Sequence, residues 1–89
     1  MQERKMTDPT IAEVEFLRSE LHTGLTLTRI ALDASNRDKT DRNSANARKA
    51  YDAVLRFIPK VSLSNDETTE LRTKLDQLKA ELQMLGEEI

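Results

Sequence analysis

The chain has no cysteine, one histidine, two glycines and two prolines, and its only aromatic residues are Phe16, Tyr51 and Phe57. Each scarcity excludes something. Without cysteine there is no disulfide framework, no thiolate nucleophile and no thiolate metal ligand, and a reducing compartment, the cytoplasm, is the expected setting. His22, the single histidine, belongs to no His-x3-His or Glu-x-x-His pair, so neither zinc nor a carboxylate-bridged di-metal site is expected. Gly24 and Gly86 stand too far apart to form a phosphate-cradling loop. Ser19, Ser35, Ser44, Ser62 and Ser64 have no histidine at a useful spacing. The expectation is a protein that is not an enzyme and carries neither metal nor cofactor. No apolar run approaches the roughly 18 residues of a membrane span. The mixed-charge start, Met1-Gln2-Glu3-Arg4-Lys5-Met6, does not resemble a signal peptide; residues 1–7 are expected to form a disordered tail.

What is present is leucine at helical spacing. Leu71, Leu75, Leu78, Leu82 and Leu85 recur at gaps of four and three, which places them on one stripe of an α-helix. Ser64-Asn65-Asp66-Glu67 is a capping box that starts this helix, and Gly86 is placed to stop it. A helix over about 65–85 follows. Asp8-Pro9 opens an earlier one, with Asp8 as N-cap and Pro9 at the first helical position. Its stripe is Val14, Leu17, Leu21, Leu25, Thr28 and Leu32, fading near Ala34-Ser35-Asn36, so the helix spans about 9–35. The polar run Asn36–Asp41 reads as the connection to a second helix over about 41–58, capped by Thr40 or Asp41. Its expected inner face is Ala47, Ala50, Tyr51, Val54, Leu55 and Ile58, and Pro59 ends it.

The fold class expected is therefore all-α, a single three-helix up-down-up bundle over residues 8–89. The short loop Lys60-Val61-Ser62-Leu63 folds the third helix back on the second. In that arrangement the leucine stripe is covered by the chain itself; otherwise it would join two chains as a homodimeric assembly element. Phe16, Leu27, Ile30 and Phe57 lie off the main stripes and offer a second face for a dimer. A glycine inside a helix costs about 1 kcal/mol relative to alanine, so Gly24 is expected to mark the closest approach of the first two helices.

Net charge is −2, but its sign alternates along the chain. Residues 37–60 hold Arg37, Lys39, Arg42, Arg48, Lys49, Arg56 and Lys60 against Asp38, Asp41 and Asp52, whereas the following segment is acidic. Arg37, Lys39, Arg42, Arg48 and Lys49 form the candidate partner-binding patch. Nucleic acid is the less favoured partner, because the whole chain is acidic, with pI about 5.4, and no aromatics interleave the basic residues for stacking.

The spacing Ala47-x3-Tyr51-x2-Val54-x4-Pro59 resembles the second helix of a tetratricopeptide repeat, and Gly24 and Leu27 resemble the small and large positions of that repeat's first helix. A helical hairpin with a covering third helix is also similar to the three-helix module of the microtubule-interacting-and-trafficking type. Both families bind peptides or helices in surface grooves, so the resemblance implies a small protein-interaction or adaptor module.

Overall fold

A computed structural model of the chain describes residues 9–89. Among them are three helices, α1 (Pro9–Asp33), α2 (Arg37–Phe57) and α3 (Asn65–Met84), with one 3₁₀ turn, Ile58–Lys60, between the last two. None is long and apolar enough to cross a membrane. The expected tail and the Asp8 cap lie outside the described residues.

The side-chain partners establish the topology. Phe16 meets Phe57, and the Thr40 hydroxyl lies 3.4 Å from the Ala31 carbonyl, so α2 runs antiparallel to α1. Arg18 bonds to Glu70 and Thr28 to Glu81, so α3 runs parallel to α1. This is the up-down-up bundle, 47 Å long and 18–20 Å across.

Two sequence boundaries move. Helix α2 begins at Arg37, four residues earlier than expected, because Asn36 is the cap: its side-chain oxygen accepts the Lys39 amide hydrogen at 2.8 Å. Several residues of the polar run Asn36–Asp41 are competent caps, and the first turn of α2 is solvent-facing, so no apolar periodicity announces it. The connection shrinks to Ala34-Ser35-Asn36, and α1 ends at Asp33. Asp38 then lies in the first turn of α2, where the helix dipole favours it.

The core is aliphatic. Leu17 and Leu21 of α1, Ala47, Tyr51 and Val54 of α2, and Leu71, Leu75, Leu78 and Leu82 of α3 form one buried cluster. The leucine stripe is thus covered by its own chain, apart from half-buried Leu85. Leu32 and Leu55, expected inside, are exposed, and Ile58 is half-buried. At the end of α1 it is the smaller Ala31 that faces inward, where the short α1–α2 connection brings the backbones together.

Gly24 is buried where all three helices meet. A Cβ there would fall 2.7 Å from Leu78 Cδ2 and 3.4 Å from Ala50 Cβ. The close approach expected between α1 and α2 is real, but the tighter neighbour is Leu78 of α3. The capping box forms in both directions: Glu67 N–H donates to Ser64 Oγ at 3.1 Å and Ser64 N–H to Glu67 Oε1 at 2.9 Å. At its other end α3 closes with Gly86 at φ 94°, the Gly86 amide donating to the Gln83 carbonyl and the Glu87 amide to the Leu82 carbonyl. That is a Schellman turn, which needs a residue free to adopt positive φ.

Candidate functional site

The Schellman turn decides the fate of part of the basic segment. It folds Glu87 and Glu88 back toward α2, where Arg48 takes them up. Arg48 bonds Asp52 at 3.1 Å, lies 3.6 Å from Glu87 Oε1, and donates to the Glu88 carbonyl at 3.4 Å. These partners, the Asp52 hydrogen bond foremost, push the Arg48 guanidinium pKa up. Arg37 lies 3.9 Å from Asp41, with both side chains largely solvated. Lys39, Arg42 and Lys49 are exposed and form no ion pair among the described residues.

The five expected patch residues therefore do not share one face of α2. At 3.6 residues per turn, Arg37 and Arg48 fall on one side of α2, and Lys39, Arg42 and Lys49 on another. The second group continues through Arg56 and Lys60, both exposed. Arg42, Lys49 and Arg56 repeat every seven residues, the signal from which the longer ridge could have been read. Asp41 and Asp52 are engaged by Arg37 and Arg48, and Asp38 lies at the start of the ridge.

A mainly apolar concavity lies beside the Lys60 end. Ala12, Glu13 and Phe16 of α1 face Phe57, Lys60 and Val61 across an open, mainly apolar pocket of about 460 Å³. Phe16 and Phe57 meet edge to face, their centroids 5.6 Å apart and their planes at 87°, the arrangement that aligns a positive ring edge with a negative face. The Lys60 ammonium lies 5.6 Å from the Phe57 centroid, a cation–π contact. Both phenylalanines remain substantially exposed, at 43% and 38%. Sequence reasoning placed them off the core stripes but could not pair them, since they are far apart in the chain.

A second pocket of about 460 Å³ lies at the opposite end of the α1–α2 seam, lined by Thr26, Arg29, Ile30, Asp33, Ala34 and Lys39. Ile30, also off the core stripe, supplies its exposed apolar surface.

The α1–α3 seam is closed instead. Arg18 donates to Glu70 through Nε at 2.8 Å and through a terminal nitrogen at 2.9 Å, a two-pronged bond, and its other terminal nitrogen reaches Glu15 at 2.6 Å. Lys74 Nζ stands 3.8 Å from Glu70. The Arg18 hydrogen bond, foremost, holds the Glu70 carboxyl below its usual range, and Glu70 in turn raises Arg18. Farther along, the buried Thr28 hydroxyl lies 2.8 Å from Glu81 Oε1 and 3.0 Å from the Leu25 carbonyl.

Comparison with protein-family models, with curated proteins and with solved structures gave no match.

Proposed function

We propose that this chain is a small non-catalytic interaction module whose docking point is the Phe16–Phe57 pocket. One observation carries the reading. Of three aromatic side chains, the fold buries only Tyr51 and holds the other two side by side at the surface around an apolar hollow. Exposed aromatic surface is unfavourable in water, and rigid aromatic rings give large contact area with little ordering cost when a partner covers them. The spacing shared with peptide-binding helical repeats supports the same reading. So does the economy of the core: the leucine stripe is already occupied within the bundle, which leaves the outer α1–α2 face for a partner. The absence of cysteine supports a cytoplasmic setting.

The test is photo-crosslinking in the native cells with a benzophenone side chain in place of Ala12, on the pocket rim. The crosslinked protein is identified, purified and titrated against the wild type and Phe16→Ser. Binding by the wild type that weakens at least tenfold in Phe16→Ser, with helicity unchanged, supports the proposal. Equal binding by both, or crosslinks to no other protein, overturns it.

A further inference from the structure

The two pockets and the basic ridge belong to one surface. Phe16 and Ile30 are fourteen residues apart on α1, which sets them about 21 Å apart along the helix axis at 1.5 Å per residue. One anchors the connector-end pocket and the other the turn-end pocket. Lys60 lines the first and Lys39 the second, and Arg42, Lys49 and Arg56 lie along α2 between them. The five cations form a rail of about 31 Å. None of them pairs with a carboxylate among the described residues, whereas Arg37 and Arg48, on the other side of α2, both do.

We infer that the partner is an acidic amphipathic helix lying along the α1–α2 seam. It places two apolar side chains fourteen positions apart into the Phe16–Phe57 and Ile30 pockets and turns its carboxylates toward the α2 rail. This rests on the interaction reading proposed above and adds the partner's chemistry. A straight helix matches the geometry, because fourteen residues are close to four turns and return a side chain to nearly the same face. Carboxylates match the charge, because five cations outnumber the acids of α2 beside them, Asp38 and Asp52, and Asp52 is held by Arg48. The opposite, α1 side carries Glu13 in one pocket and Asp33 beside Arg29 in the other, so the excess of positive charge lies on α2 and the partner's acids face it. Those same two carboxylates stand against a nucleic-acid backbone, whose phosphates would meet them at both ends, and no exposed ring lies along the rail for a base to stack upon.

The experiment is an amide NMR titration of the full chain at low salt. The probes are 19-residue helical peptides with leucine at positions 3 and 17 and glutamate at the facing positions, with versions carrying glutamine or lysine in place of glutamate. A 20-base-pair DNA duplex is added separately. The expected result is that the glutamate peptide perturbs both pockets and the rail and binds at least tenfold more tightly than the glutamine peptide. That advantage is lost in Lys49→Glu/Arg56→Glu, whose sites are exposed and whose helicity is checked by circular dichroism. Glutamate, glutamine and lysine peptides that perturb the Phe16–Phe57 pocket equally overturn the inference while leaving the interaction reading standing. Peptides that perturb neither pocket overturn both. DNA binding through the rail in place of the glutamate peptide overturns it in favour of a nucleic acid. Shifts at the same residues on dilution of the protein alone overturn it in favour of a second copy.

Discussion

Helix α1 has two seams, and they are built differently. Against α3 it is sealed: leucines are buried, and above them Arg18 clasps Glu70 and Thr28 reaches Glu81. Against α2 the inner half is just as tightly packed, around Gly24 and Ala50, but the outer rim stays open, with exposed phenylalanines at one end, an exposed isoleucine at the other and unpaired cations between. The sealed seam holds charges whose partners come from the same chain. The open rim holds cations that form no ion pair among the described residues. One helix thus has a closed side and an open side, because a group withdrawn from water must find its partner internally whereas an exposed one is satisfied by water.

The contrast is broken most severely from the core. Leu78→Ala removes a fully buried side chain, and such truncations cost about 2–5 kcal/mol. At roughly 0.05–0.15 kcal/mol per residue a chain of 89 residues holds about 4–13 kcal/mol, so circular dichroism is expected to show a melting temperature lowered by about 10 °C or more. Phe57→Ala, on the open rim, is expected to cost only about 1 kcal/mol, the scale of an edge-to-face ring contact. Equal losses in the two variants would mean that the aromatic pocket is part of the core.

Gly24 sharpens the same point. Alanine there gains about 1 kcal/mol of helix propensity but pushes its Cβ against Leu78. In a Leu78→Val background, which removes the crowding Cδ atoms at a smaller cost, Gly24→Ala is expected to raise the melting temperature. In the wild type the gain is offset by crowding, and Gly24→Leu lowers stability by about 2 kcal/mol or more. A Gly24→Ala effect of the same size in both backgrounds would show that Leu78 moves aside freely.

The clasp comes next. Arg18 and Glu70 are each about one-third exposed, so solvent screening limits their bond to about 1 kcal/mol. Glu70 titrates lower in the folded chain than in the unfolded one. Its contribution is therefore complete above the unfolded value of about 4.3 and is lost as pH falls through the lowered folded value. Urea midpoints of wild type and Glu70→Gln should differ at pH 7 and converge progressively below about pH 4. A gap that persists unchanged into acid would mean that the pair contributes through packing alone. The smallest effect belongs to the rail: Lys49→Glu and Arg56→Glu are expected to change stability by no more than about 0.5 kcal/mol, and a larger loss would place these residues in the fold and not at its surface.

The legible parts of this molecule are the local ones. The α3 capping box, its glycine stop and its leucine spacing involve residues within a few positions of one another, and the structure has them all. The start of α2 was not legible, since several neighbouring residues could serve as its cap, and it is Asn36 whose side chain accepts the Lys39 amide. The candidate patch was legible as composition but not as geometry. Helical rotation separates Arg48 from Lys49, and the folded-back end of α3, forty residues on, claims the first and leaves the second.

The sequence by itself determined three helices, their approximate lengths and the side each turns inward, because hydrophobic periodicity and capping act over one or two turns. Only the tertiary structure decided which off-stripe residues meet, which cations are already neutralised and where the surface remains open. The decisive contacts, Phe16 with Phe57 and Arg48 with Glu87, join residues far apart in the chain, and such meetings are set by how the helices pack, not by any spacing within them.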